Sequence, residues 1–479
     1  MIQFSKIFSW FHDKRIIAFT VALALFMDAL DTTVINTAIP AMSRSLHVHP
    51  VDLKIALISY LLSLAIFIPI SGWMADRFGA KRVFLSALFV FTFSSLWCGF
   101  ASTLSELVVA RSCQGVGGAL MLPLGRLIVL RTFQRHELVE AMNSVIMVVS
   151  IGLMLGPLAG GFITDHLSWH WIFWINIPVG SLAIAMAAYW LEEMPPQKVH
   201  PFDFAGFFFF GGGLAALTFS LSDFSESAAD QQTAVLIFCV AVMMLFAYLL
   251  YSRKQAHPII NNELFRARTF QVSVMGNLLA RLSFGGVPFL LPLLLQIGLG
   301  YSAQLSGLLL VPIALGIICV KTISLRILRF MGYKRLLLTN TILVGLSVWL
   351  FRIVNDQTPV YLIACLTFIF GFLISMQYSG MNSLAYAELD TAQFASATGI
   401  ISTTQQLAQS FGVAASAFLL RYYSSDFALQ SPLTPEVFHE TFFVLGIFTL
   451  VSTFIFTRLK TGDGHQMLKV PAQEKVVMH

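Results

Sequence analysis

Phe26-Met27-Asp28-Ala29-Leu30-Asp31-Thr32-Thr33-Val34-Ile35-Asn36 lies in the outer half of an apolar stretch running from about Ile16 to Pro40, and nothing basic sits beside its two acids. The stretch is long enough to cross a bilayer as a helix, which takes ~20 apolar residues. At ~100° per residue, Asp28, Asp31, Thr32 and Ile35 share one helical face. A carboxylate in a membrane span is costly unless it is protonated, paired or solvated, so that face must look at protein or water. Such an acid is read as a proton site or an ion contact. The plainer reading is an Asp hydrogen-bonded to a neighbouring helix.

Working outward, the composition agrees with a chain built for lipid. Of 479 residues, 57% are hydrophobic and 11% charged, against ~25% charged in ordinary soluble domains. This excludes a soluble fold and predicts an all-α, polytopic membrane protein. Apolar windows begin near Ile16, Val51, Val83, Ser105, Glu140, His170, Ala205, Gln232, Thr269, Ala303, Lys334, Thr358, Ala395 and Phe438, giving fourteen expected spans. Two are weakly defined: Gly211, Gly212 and Gly213 should weaken the seventh, and Pro288 and Pro292 interrupt the ninth. The first span follows Lys14 and Arg15 but is too long and too acidic for a signal-peptide core, so it is expected to stay in the mature protein. Cys98, Cys113, Cys239, Cys319 and Cys365 all lie in apolar runs without a C-x-x-C pair. They read as packing residues, and neither a disulfide framework nor a metal site is expected.

An even number of spans puts both termini on one side. Most of the 29 Lys and Arg residues fall in the tails and alternate loops of that side, whereas Arg44, Lys54, Arg352 and Arg421 fall opposite. The positive-inside rule then makes both tails cytoplasmic. That one-sided distribution accounts for the net charge of +5 without a nucleic-acid partner. The turn after span two, Arg77-Phe78-Gly79-Ala80-Lys81-Arg82, returns after span ten as Arg329-Phe330-Met331-Gly332-Tyr333-Lys334-Arg335, with one insertion. Two six-span halves explain that repeat if spans seven and eight are an inserted hairpin, with a substrate path between the halves near the midplane. The expected division is an N-terminal six-helix bundle (1–195), an inserted transmembrane hairpin with its connections (196–265), a C-terminal six-helix bundle (266–460) and a cytoplasmic tail (461–479).

The string Gly72-Trp-Met-Ala-Asp76-Arg77-Phe-Gly79-Ala-Lys81-Arg82 joins spans two and three. Its glycines permit a tight turn, and Asp76 can sit at a helix N-terminus or pair with a base, so the cluster reads as a conformational latch. A solvated basic turn is the alternative. This string resembles the loop motif of the major facilitator superfamily. Span four carries Arg111, Gln114, Gly115, Gly118 and Gly125 on one face and resembles that superfamily's second motif, whose arginine is implicated in proton transfer. Asp31 and Arg111 lie at similar depths, so the guanidinium can hold the carboxylate when near and release it when withdrawn; a structural arginine bonded to backbone carbonyls is the competing reading.

In span five, Gly152, Gly156, Pro157, Gly160 and Gly161 form a smooth stripe with a pivot, suited to close helix contact. The run also resembles the motif that marks antiporters. The first span resembles the L-D-x-T-V-V-N-x-A-L-P signature of the fourteen-span drug:proton antiporter family, and Trp169-His-Trp-Ile-Phe-Trp-Ile-Asn176-Ile-Pro-Val-Gly180 resembles another of its segments. The resemblance implies a major facilitator fold, in a bacterial inner membrane. It also implies proton-coupled export of small amphipathic or drug-like compounds, with Asp31 as proton carrier and Arg111 its partner. Asp28 departs from the signature and is the next proton-coupling candidate. Arg281, near the middle of span nine, is unusual for exporters of lipophilic cations and would welcome an organic anion such as a carboxylate metabolite or siderophore. Gln296, Gln377, Tyr378, Gln405 and Gln409 join Arg281 as candidates for the substrate path, or as polar glue between helices. No H-E-x-x-H, nucleophile motif or Gly-rich phosphate loop is present. An enzyme and an ATP-driven pump are therefore disfavoured, and the repeat and the loop latch disfavour a channel; no cofactor is expected, and the partners are a small-molecule substrate, protons and the bilayer.

Overall fold

The computed structural model describes residues 14–134, 137–193, 195–196, 199–223, 228–255, 258–390, 393–424 and 433–468. Of the tail expected at 461–479, residues from 469 onward lie outside the described part. Twelve of the described helices are long and apolar enough to cross a membrane. One of them, Ala303–Ile353, runs 51 residues and bends at Gly332, where φ is 70°, so it supplies two crossings. Phe394–Tyr423 is a further 30-residue helix, made less hydropathic by Thr403, Thr404, Gln405, Gln406 and Gln409.

The described residues thus hold fourteen membrane-length helices. They are α1 (Lys14–Leu46), α2 (Pro50–Phe78), α3 (Ala80–Cys98), α4 (Leu104–Thr132), α5 (Leu138–His166), α6 (Trp171–Trp190) and α7 (Phe204–Asp223). The second seven are α8 (Ala228–Ser252), α9 (Arg268–Gly298), α10 (303–331), α11 (333–350), α12 (Val360–Leu384), α13 (Phe394–Tyr423) and α14 (Pro435–Phe456).

Helices α1 to α6 pack on one another, as do α9 to α14, and the two sets meet through α5 against α10 and α2 against α13. Helices α7 and α8 pack mainly on each other and touch α2 and α13. The triple glycine does not break α7. A Cβ on Gly212 would lie 2.7 Å from Met244 and one on Gly213 2.9 Å from Leu245, so the missing side chains bring α8 close. Helix α9 does break, at Gly285 and Gly286, and after Pro288 and Pro292 it ends in one π-helical turn, Leu294–Gly298. The repeated basic turns share a backbone device, because Gly79 (φ 91°) and Gly332 (φ 70°) both occupy the left-handed region that glycine enters freely. Cysteine is where the sequence reading needs correction: Cys98 is buried, but Cys239, Cys319 and Cys365 are exposed on outer helix surfaces.

The face carrying the Gly79 and Gly332 turns is called here the basic face, and the opposite one the far face. Toward the far face the two halves share one apolar core, in which Val34, Ile35 and Ile39 of α1 pack with Leu290 and Leu294 of α9, Leu309 of α10 and Val413 of α13. Toward the basic face they keep separate cores, one around Val21, Phe84 and Leu124 and the other around Leu328, Tyr333 and Met381. Three polar contacts reinforce the far-face closure. Arg421 of α13 pairs with Asp52 at the start of α2. Asp165 of α5 accepts the backbone N–H groups of Ala303 (3.2 Å) and Gln304 (2.7 Å), placing a carboxylate on the N-terminus of α10. Gln296 Nε2 donates to the carbonyl of Thr37 at 2.9 Å. Beside them, His49 Nδ1 accepts the Val51 N–H at 3.3 Å. Burial pushes the His49 pKa down, so it enters the closure uncharged at neutral pH.

The α5 glycines divide between two partners. Gly152, Gly156 and Gly160 lie against α1 at Phe26, Thr33 and Thr37, while Gly161 and the Pro157 carbonyl lie against Ala303 and Gly307 of α10. Gly160→Val is therefore expected to overpack the α1–α5 contact and cost ~1–3 kcal/mol, seen as a lower unfolding temperature in detergent. Gly399→Ala, at a helical position with open space around it, is expected to leave that temperature unchanged or slightly raised. Equal behaviour of the two variants would contradict the packing assignment.

Candidate functional site

At mid-depth in the first half, α1 places Asp31 where three other helices converge. Arg111 and Gln114, three residues apart on α4, point at it from one side, and Asn176, beside the break in α6, points from the other. Arg111 Nη1 donates to Asp31 Oδ2 at 2.5 Å, and Gln114 Nε2 and Asn176 Nδ2 each donate to Oδ1 at 2.9 Å. Gln114 also accepts from Arg111 Nη1 at 2.7 Å and donates to Ser95 Oγ of α3 at 2.7 Å. Asp31, Gln114 and Asn176 are fully buried, and Arg111 is 1% exposed. The carboxylate thus has one formal counter-charge and three donors, the condition under which an ion pair tolerates low dielectric.

A second acid is joined to this node by an aromatic ring. The guanidinium of Arg111 lies 4.2 Å from the ring centroid of Tyr60 on α2, and the Tyr60 hydroxyl donates to Asp28, one turn before Asp31. The α4 glycines make this approach possible: a Cβ on Gly118 would come 2.9 Å from the Tyr60 hydroxyl and 3.1 Å from Asp28 Oδ1, and one on Gly115 would come 2.6 Å from the Tyr60 carbonyl. Both acids therefore meet Arg111, Asp31 through a direct ion pair and Asp28 through the Tyr60 ring and hydroxyl. The network meets a small cavity between the halves, lined by Thr32, Asn36, Tyr60 and Arg111 from the first half and by Gly285 and Gln409 from the second.

The other expected path residues separate. Arg281 stacks on Tyr378, with its guanidinium carbon 3.8 Å from the ring centroid. Gln405 Nε2 donates to Asn382 Oδ1 at 2.7 Å. Gln377 is fully buried, accepting from Asn340 Nδ2 and donating to Thr341 Oγ1, both at 2.8 Å, so it joins α11 to α12. Gln296, as above, ties α9 to α1 in the far-face closure. In the basic turn, Asp76 lies 3.4 Å from Arg131 at the end of α4, and exposed Arg82 lies 3.9 Å from Glu193. Gly72 stands in open space, Arg77 is exposed and Lys81 half-buried. Tyr60, Ser95 and Asn176 were absent from the sequence-derived site. Asn176 carried a signal, as the lone amide of the aromatic-rich segment that opens α6; Tyr60 and Ser95, in apolar runs, carried none.

Removing one member of the node should cost more than removing its charge altogether. Arg111→Gln is expected to destabilise by ~3–5 kcal/mol, because a buried carboxylate loses its counter-charge. Asp31→Asn combined with Arg111→Gln should lose much less than the two single variants summed. Unfolding of the parent, both singles and the double in mixed micelles measures the coupling, and simple additivity would rule it out.

A family model described as Major Facilitator Superfamily matches residues 21–413 and 273–477. The chain is 37% identical over 457 residues to a probable transport protein, HsrA, of Haemophilus influenzae, covering 95% of this chain and 98% of that protein. It is 36% identical over 441 residues to a putative multidrug resistance protein, MdtD, of Pectobacterium atrosepticum, covering 92% and 94%. Among solved structures, a D-xylose-proton symporter superposes with a TM-score of 0.67 at 15% identity, covering 94% of this chain and 98% of that one.

Proposed function

Because the chain belongs to the major facilitator superfamily, we propose that it is a proton-coupled antiporter exporting small amphipathic, drug-like compounds across a bacterial inner membrane. It is a transporter and not an enzyme. The MdtD relatives, called multidrug resistance proteins, support drug export. The concentration of Lys and Arg on the basic face supports cytoplasmic termini. In that orientation the described state is sealed toward the outside and divided toward the cytoplasm. The division into bundles 1–195 and 266–460 with an inserted hairpin at 196–265 fits the helix contacts.

The observation that carries the coupling is the burial of Asp31 in its ion pair with Arg111. While ionised, Asp31 holds α1 to α4 and α6 and neutralises Arg111. A proton on Asp31 removes the charge that Arg111 answers, so three helices lose their common anchor together. Helix α1 also lies on the α5 glycines, and α5 on α10, so a shift of α1 reaches the far-face seam by direct contact. Asp28 and Tyr60 offer the proton a second acceptor one turn away. The turn from Gly72 to Arg82 serves as the latch: Asp76 is held by Arg131 of its own half in this state and exchanges that partner when the basic face closes.

Asp31→Asn is expected to abolish uptake into vesicles driven by an imposed pH gradient while preserving substrate counterflow, which needs no net proton movement. Parent-like accumulation by this variant would transfer the role to Asp28. A further expectation concerns the seam. Asp52→Asn and Asp165→Asn each remove a far-face contact and should shift the protein toward the outward-open state. In a background without the five native cysteines, an Ile39→Cys probe should then react several-fold faster with an impermeant maleimide added outside. No change in either variant would mean that the apolar core, with the Gln296–Thr37 bond, seals that face without these two carboxylates.

A further inference from the structure

Among the described residues each half contains one buried arginine, and the two are treated differently. Arg111 answers Asp31. Arg281, on α9 of the second half, is 8% exposed, its Nε has no acceptor, and among the described residues neither a hydrogen-bond acceptor nor a carboxylate meets its guanidinium. What it touches is a ring: Tyr378 of α12 covers one flat side of the guanidinium at 3.8 Å, and Phe284 lies 5.8 Å from Tyr378, ring to ring. Stacking compensates only part of the cost of a permanent charge within a membrane protein, and it leaves the in-plane N–H donors unused. Nothing in the α9–α12 contact requires a charge, since Phe284 and Tyr378 already supply apolar packing. One turn beyond Arg281, Gly285 forms part of the wall of the cavity between the halves, and Gln409 faces the same space.

We propose that Arg281, backed by Tyr378, is the docking point for the acidic group of the cargo, so that preferred substrates are amphipathic organic monoanions, carboxylates or sulfonates, whose apolar bodies extend toward Gly285 and Gln409. The planar guanidinium edge matches two oxygens of such a group, the ring behind it fixes its orientation, and the surroundings favour an apolar body. A lipophilic cation at this position meets like charge without relief. This rests on the exporter reading for its meaning as a cargo site, but the proton site and the docking point lie in different halves. They can therefore fail separately.

The test is equilibrium binding to purified full-length protein in detergent without anionic lipid, using salicylate as the anion and tetraphenylphosphonium as the cation. Arg281→Gln is expected to weaken salicylate binding at least tenfold and to leave tetraphenylphosphonium within about threefold of the parent, or tighter. Arg281→Lys keeps the charge but not the two-donor edge and should lie between. It also stands in if the glutamine variant does not fold. Arg352→Gln removes an exposed guanidinium at the far face and controls for net charge. Unchanged salicylate affinity in both Arg281 variants would overturn the proposal. So would a parent that binds tetraphenylphosphonium but not salicylate, or equal losses for both probes with a lowered unfolding temperature, which would make Arg281 structural. Failure of proton coupling would appear instead in Asp31→Asn transport, with these binding constants untouched.

Discussion

A carboxylate with no access to water, held by a guanidinium and two amides, is the constraint from which the first half is built. Three helices, α1, α4 and α6, must converge for Asp31 to be satisfied, and the small residues of α4 and α5 occur where bulk would keep α1 from reaching that point. Apolar packing in a bilayer distinguishes poorly between helix registers, because lipid tails are as apolar as leucine. Hydrogen bonds to a buried charge discriminate sharply. The node thus ties the register of α1 to those of α4 and α6, and under the proposed coupling one proton would release it.

The membrane fold was legible because its signals are cumulative: span lengths, sidedness of charge and a repeated turn each extend over many residues. The repeat proved deeper than its letters, since Gly79 and Gly332 share an unusual backbone conformation as well as a similar string. Asp31 and Arg111 were legible for the opposite reason, as single charges where charge is expensive. Less visible was the environment. Tyr60 sits in a continuous apolar run, where an aromatic residue is unremarked, and only the fold shows that its ring meets Arg111 while its hydroxyl meets Asp28. The glutamines could not be sorted by type. Gln296 and Gln377 satisfy backbone and side-chain groups inside helix contacts, whereas Gln409 faces the cavity, and the difference lies in helix rotation that the amide itself does not encode.

Closure at the far face draws on two kinds of interaction. The shared core contributes area without direction, so it permits sliding. The Asp52–Arg421 pair and the capping of α10 by Asp165 contribute direction, and they sit at two of the helix pairs that join the halves, α2 with α13 and α5 with α10. Both carboxylates belong to the first half. Opening that face must break them together, which makes the seam behave as a single cooperative element.

The unanswered charge of Arg281 also bears on the energetics of a full cycle. Exporting a monoanion in exchange for one inward proton moves two positive-charge equivalents into the cell per turnover. Each is worth about 2.3 kcal/mol per 100 mV of membrane potential, so an interior-negative potential of that size sustains a cargo gradient on the order of a thousandfold even without a pH difference. A lipophilic monocation exchanged for the same proton moves no net charge and draws on the pH gradient alone. If Arg281 selects the cargo as proposed, it would in this way also select the energy source.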